Sequence, residues 1–135
     1  MKGPSARLSN RPANFALYNW YPEHGLHLVH PDDRDGFMRL MPAGRVFGFA
    51  RVGDWTVLSH GASTFRVLGD LLRPLPEPRH WLGDEVRFFS GGETRSGVVR
   101  DVLWHFSDAV PFYLLSADGK ALNKRYLDDD LLALT

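Results

Sequence analysis

Hydrophobic and polar positions change rhythm along the chain, and each change predicts an element. The segment FALYNWYP, residues 15–22, is dense in aromatics, and the step through Glu23, His24 and Gly25 reads as a turn into a short strand, LHLVH. Pro31, Asp32 and Asp33 then open a helix, since proline suits the first helical position and carboxylates favour the positive end of the helix dipole. Phe37, Leu40 and Met41 recur at the i, i+3, i+4 spacing of one buried helix face, and Pro42 and Gly44 end it. From there the period becomes two. RVFGFARV, Gly53-Asp54, WTVLSH, Gly61 and STFRVL read as strands joined by glycine turns, a β-meander. It closes in Asp70-Leu71-Leu72-Arg73-Pro74-Leu75, either a 3-10 turn or a last strand.

Pro74, Pro76 and Pro78 stiffen PLPEPRHW into an extended connector. The second half restarts at Gly83-Asp84-Glu85 and runs VRFF, VVRDVLWHF, FYLLS and ALNKRYL, with turn signals at Gly91-Gly92 and Asp118-Gly119 and a bulge or bend expected at Gly97. A faint repeat links the halves. WTVLS, a glycine turn and TFRVLGDLLRPL match FYLLS, a glycine turn and NKRYLDDDLLAL, so Ser59, Phe65 and Asp70 correspond to Ser116, Tyr126 and Asp130. The pattern therefore predicts a mainly β (α+β) chain: a tail over 1–14, an αβ unit with meander over 15–76, a connector over 77–82 and a small barrel over 83–135.

Within the second half, GDEVRFF, then SGVVRDVLWH, YLLSADGK and KRYLDDDLL resemble SH3-like and Tudor-like small barrels across residues 83–134, with a shorter echo at 45–76. The resemblance implies one or two SH3-like β-barrels after a short strand-helix unit. It also implies a possible cation cage, for which Trp104, Tyr113 and Tyr126 are the candidate rings. The opening YPEHGLHLVHPDD is similar to that of a short bacterial family of unknown function.

Composition narrows the chemistry. The chain has 135 residues, 44% of them hydrophobic, and no cysteine, which excludes thiol catalysis, disulfides and cysteine zinc sites. Sixteen basic and sixteen acidic residues balance, so the footprint of a dedicated nucleic-acid binder is missing. The two signs are unevenly spread. Residues 1–76 hold nine basic against six acidic residues and 77–135 hold seven against ten, with Lys2, Arg7 and Arg11 in a polar opening that predicts a flexible tail. No apolar run approaches the roughly 20 residues of a membrane span, and MKGPSARLSNRPANF lacks the apolar stretch of a signal peptide, so a cytoplasmic protein without membrane contact is expected.

Three constellations carry candidate chemistry. His24, His27 and His30 form a cluster of metal-ligating type, but on a strand His27 and His30 face opposite ways, and His60, His80 or His105 would have to complete a site. Their simpler role is as turn and cap residues bonded to backbone. Asp32, Asp33 and Asp35 near His30, or Asp128, Asp129 and Asp130 after Lys124 and Arg125, could be drawn as acid and base partners. A helix start and an acidic turn explain them more simply, and no catalytic motif accompanies either group. The aromatics are expected to be mostly core, with Trp20 and Tyr21 near a loop as interface anchors.

The expected function is a non-enzymatic protein-interaction module of the bacterial cytoplasm, without a cofactor, in the form of an immunity or antagonist protein binding one partner. Its contact residues are expected among Trp20, Tyr21, His24, Trp104, Tyr113, Arg125 and Tyr126. The alternatives are a nucleic-acid-binding barrel using Arg45, Arg51, Arg66, Arg73, Arg87, Arg95 and Arg100, and a metal-binding or catalytic protein built on the histidines. Salt separates the first two: partner affinity should change little between low and moderate salt, whereas phosphate binding should fall steeply, and a salt titration reads the difference.

Overall fold

The computed structural model describes residues 11–133. The chain divides between Glu77 and Pro78 into two compact units, each built on a five-stranded antiparallel sheet. The protein is thus mainly β, with one short α-helix among the described residues, as the alternation predicts.

In the first unit, β1 (Phe15–Tyr18), β2 (Val46–Val52), β3 (Trp55–His60), β4 (Ser63–Val67) and β5 (Leu72–Leu75) adopt the order β4-β3-β2-β1-β5. Strands β2 to β4 form the meander, turning at Gly53 and Gly61, both at positive φ. The closing segment contains both expected forms: a 3-10 turn at Gly69–Leu71 leads directly into β5. The link from β1 to β2 holds α1 (Arg34–Leu40) and three 3-10 turns. One of these, Leu26–Leu28, stands where the LHLVH strand was expected. Gly25 causes the difference. It takes φ 119°, which breaks an extended path, and only Val29 bridges to a strand, at Val67.

Packing explains why this link is held. Directly opposed residues share a face, so Phe47, Leu58 and Phe65 line the face that continues to Tyr18. Phe37 of α1 sits over it with ring centroids 6.0 Å from Tyr18, 5.6 Å from Trp20, 5.9 Å from Phe47 and 5.0 Å from Phe65. Trp20 is only 1% exposed, and its indole N–H donates to the Gly25 carbonyl at 3.0 Å. The expected anchor is therefore a core residue, drawn in because the tilted stack with Phe37 and the satisfied N–H make burial favourable. Leu40 ends α1, Met41 turns left-handed at φ 59°, and the Arg45 side chain donates to the Leu40 and Met41 carbonyls.

In the second unit, β6 (Glu85–Ser90), β7 (Glu93–His105), β8 (Val110–Ala117), β9 (Lys120–Ala121) and β10 (Leu132–Ala133) adopt the order β10-β6-β7-β8-β9. This repeats the first unit: four strands in sequence, a 3-10 turn at Asp128–Asp130, and a fifth strand paired with the first. The bulge falls between Val99 and Asp101 and not at Gly97. Gly97 is needed for close approach, since a Cβ there would lie 2.9 Å from the Ser116 carbonyl oxygen and 3.0 Å from the Phe88 ring. Val86, Phe88, Val99, Val102, Tyr113 and Leu115 form the buried side. For residues 1–10 the tail expectation lies outside the described residues; Arg11 pairs with Glu77 at 2.9 Å.

Trp20→Ala should lower stability by about 3–5 kcal/mol, because a fully buried aromatic is lost. Tyr21→Ala, at a side chain 53% exposed, should stay within about 0.5 kcal/mol. Urea midpoints of the two variants check both values.

Candidate interaction surface

Strand alternation forces one decision in VRFF. Phe88 packs inward against Tyr126, 5.3 Å between centroids, so its neighbour Phe89 must point outward, and it is 69% exposed. Arg87 lies on that outer face with its cross-strand partners Leu132 and Ser96, and Thr94 opposes Phe89. Leu132 is 62% exposed. A hollow of about 260 Å³ opens beside these residues, lined also by Phe88, Lys124, Tyr126, Asp129 and Asp130. A second, shallower hollow of about 420 Å³ runs along the same sheet past Glu85, Ser96, Val98 and Ser116.

Register shows what is unusual about this surface. In the first unit Tyr18 pairs with Leu72, the first residue of β5; in the second, Arg87 pairs with Leu132, the first residue of β10. Two residues further on the units differ: Phe89 continues β6 opposite Thr94, whereas in the first unit the chain has left β1 and turned, the Trp20 N–H donating to the Tyr18 carbonyl at 2.9 Å. Trp20 is covered by α1, and Leu72 packs against the same core. Phe89 and Leu132 are bare, because two glycines, Gly91 and Gly92, replace the whole covering link in the second unit.

The residues expected to bind fall in both units. Trp20, Tyr21 and His24 belong to the first unit, while Trp104, Tyr113, Arg125 and Tyr126 belong to the second. Tyr113 and Tyr126 are buried and bridge each other through backbone bonds of 2.7 and 3.0 Å, so their rings are core and leave no open cage. Trp104 is half-buried. Arg125 lies over Phe112 at 4.9 Å. Tyr21 and His24 remain exposed and stacked at 6.0 Å, but His24 Nδ1 also accepts the Tyr21 N–H at 3.0 Å, a local turn. Phe89, Leu132 and Arg87 were missed as a site. The repeat reaches Leu132 through its match to Leu72, but nothing in it registers β6, so the outward turn of Phe89 emerges only from the pairing of β6 with β7 and β10.

The titratable clusters also resolve into structural parts. His30 Nδ1 accepts the Asp32 N–H at 3.1 Å, and the His27 ring lies over Gly25, where a Cβ would meet it at 2.5 Å. No group of three side chains able to hold a metal ion occurs among the described residues. Asp33 does not cap α1 with its side chain, as expected of it. Its carboxylate instead receives the Arg66 backbone N–H at 2.8 Å and the Arg66 guanidinium at 2.9 and 3.3 Å, tying the link to β4. That bonding holds the Asp33 carboxyl below the usual carboxylate range. Asp128 accepts the Tyr113 hydroxyl at 2.6 Å, and burial followed by this carboxylate pushes the phenol upward. Asp130 accepts the Leu127 N–H at 2.9 Å.

Of the seven candidate arginines, Arg45, Arg51, Arg66, Arg95 and Arg100 are committed in the same way, while Arg73 and Arg87 make no hydrogen bond or ion pair among the described residues. Arg51 donates to Gly53, Arg95 pairs with Asp118 at 3.1 Å, and Arg100 donates to the Leu115 and Leu122 carbonyls. These are guanidiniums turned to the chain's own oxygens and not gathered on one open face.

Fold and surface together define a two-unit, mainly β chain in which Phe89 and Leu132 stand exposed on the outer face of the second sheet. The chain belongs to a Family of unknown function (DUF6960), whose model matches residues 8–132. No curated protein and no solved structure matches it significantly. No helix among the described residues is long and apolar enough to cross a membrane.

Because Asp33 is held ionised in the folded state, its contribution is present above the unfolded carboxylate pKa and is lost as pH falls through the lower, folded value. Asp33→Asn should therefore flatten the loss of thermal stability between about pH 5 and pH 2 relative to the parent chain. Melting temperature against pH reads this; parallel curves would rule out the Asp33–Arg66 pair as a source of acid sensitivity.

Proposed function

We propose that the chain is a protein-interaction module made of two SH3-like barrels, and that the outer face of β6, β7 and β10 receives one partner polypeptide. The barrel reading is supported by the strand order common to both units, in which a 3-10 turn feeds a last strand that pairs with the first. The observation that carries the binding reading is the pair Phe89 and Leu132, 69% and 62% exposed on the outer face of the second sheet, whereas Leu72, which matches Leu132 in register, packs against a covered core. Large apolar side chains side by side on a sheet, rimmed by charges, are what a partner surface offers and what a solvated face avoids.

Binding is favoured over catalysis because Asp33, Asp128, His24 and His30, the ionisable groups that stood out in the sequence, are each bonded within a turn or tie. Protein is favoured over nucleic acid because Arg51, Arg66, Arg95 and Arg100 are turned to the chain's own carbonyls and carboxylates.

The test is capture from nuclease-treated native lysate by the tagged full chain and by its Phe89→Glu variant. The parent should retain one stoichiometric polypeptide that the variant loses, with melting temperatures within about 2 °C since Phe89 is exposed. Equal recovery by both chains, or loss of everything on nuclease treatment, would overturn the proposal.

A further inference from the structure

We propose that His30 is a proton-operated clasp on the covering link of the first unit, its ring exchanging the backbone N–H of Asp32 for the Asp32 carboxylate when it becomes charged. The structure shows the neutral state. His30 caps the 3-10 turn Pro31–Asp33, its Nδ1 accepting the Asp32 N–H at 3.1 Å while its carbonyl accepts the Asp33 N–H at 2.9 Å. Accepting fixes the tautomer: a ring nitrogen whose lone pair takes an N–H carries no proton, so the proton of the neutral ring sits on Nε2. Histidine gains its second proton between about pH 8 and 5, and here that proton has only Nδ1 to go to. The Asp32 N–H then loses its acceptor, and the new Nδ1–H has the Asp32 Oδ2 3.9 Å away, a gap that a small rotation closes. One residue thus supplies the partner for both states.

The surroundings keep the exchange local. Trp55 of β3 lies against the ring, 5.1 Å between centroids, and an indole face accommodates either state, the charged one by cation–π attraction. The charged groups about His30 are Asp32 and Asp33 of its own turn and Arg66 of β4, while Arg34 of α1 turns its guanidinium to the Leu26 and Val29 carbonyls. Arg66 stands 3.8 Å from Asp32, but Asp33 holds its guanidinium at 2.9 and 3.3 Å, so Arg66 keeps a carboxylate when Asp32 turns to the imidazolium. The arrangement recurs in the second unit. There His105 Nδ1 accepts the Asp108 N–H at 3.3 Å with the Asp108 Oδ2 at 3.6 Å, beside Phe112 of β8, over whose ring Arg125 lies. His24 gives the contrast, since it accepts the N–H of Tyr21, and a tyrosine brings no carboxylate to take over.

The experiment follows the isotopically labelled full chain by NMR from about pH 8 to pH 5, the range in which histidine titrates. At the alkaline end the His30 Nδ1 resonance should be that of an unprotonated nitrogen. As pH falls, Nδ1, the Asp32 amide and the Asp32 side-chain carboxyl carbon should move together with one midpoint. His30→Asn, whose side-chain oxygen caps the turn at every pH in the range, should leave the Asp32 amide unmoved. The Arg66 amide, which donates to Asp33 at 2.8 Å, should keep its hydrogen-exchange protection throughout, because the exchange is confined to the turn. Four outcomes would each overturn the proposal: a neutral His30 ring with its proton on Nδ1, an Asp32 carboxyl that does not follow the ring, an Asp32 amide that titrates equally in His30→Asn, or loss of Arg66 protection in step with His30.

Discussion

Phe37 is the side chain on which the first unit depends. A five-stranded sheet whose strands are apolar on a given face must cover that face, and here the cover is a link of the chain itself, residues 19–45, anchored by one phenylalanine among four other rings. The surrounding features make sense as devices that hold Phe37 there. Gly25 bends the path toward the sheet, the Trp20 indole ties that bend, Asp33 clamps the start of α1 to β4, and Arg45 binds its last carbonyls. Backbone bonds from His30 to Arg66 and from Leu68 to Leu28 then join the link to the end of β4, so that few of its polar groups are left for solvent to satisfy.

The second unit applies the same strand order under a different constraint. With Gly91 and Gly92 in place of the link, nothing in its connections can cover the outer face, and most of that face is polar, with Glu85, Arg87, Thr94 and Ser96 exposed. Phe89 and Leu132 depart from this rule. Each is flanked by polar residues, and neither would be costly to replace if solvent were the only neighbour, so their presence together is a feature that folding alone does not require. The buried side shows the contrast: Phe88, Tyr126 and Tyr113 are packed, bonded and bridged, and Gly97 exists to let Phe88 approach the strand.

Much of the fold could be read along the chain, because period and turn chemistry are local. The meander, the helix around Phe37, the 3-10 turn before Leu72 and the Asp118-Gly119 hairpin all follow from residues within a few positions of one another. What could not be read depended on contacts between distant residues. LHLVH has the composition of a strand, but Gly25 and the packing of Leu28 and Val29 against the sheet turn it into a 3-10 segment. Trp20 lies beside Pro22 and Gly25 as a loop aromatic would, and only the position of Phe37 makes it core. Asp33 has the sequence setting of a helix cap, yet Arg66, thirty-three residues away, claims its carboxylate. The candidate surface was hidden for a related reason: a pair of adjacent phenylalanines does not say which one faces out until the register of β6 against β7 and β10 is known.

That register also limits how selectivity can arise. On the proposed reading, zero net charge and guanidiniums mostly bonded to the chain's own oxygens leave little long-range attraction, so that a partner would be distinguished at contact distance. Phe89 and Leu132 supply apolar area without direction, so any compact hydrophobic segment could cover them. Direction has to come from the polar groups around the pair: Arg87 opposite Leu132, Thr94 opposite Phe89, and Lys124, Asp129 and Asp130 at the hollow. In the first unit the demand to cover apolar rings is met within the chain itself, by Phe37 over its nest, while the Asp33–Arg66 pair holds the start of the covering helix to β4.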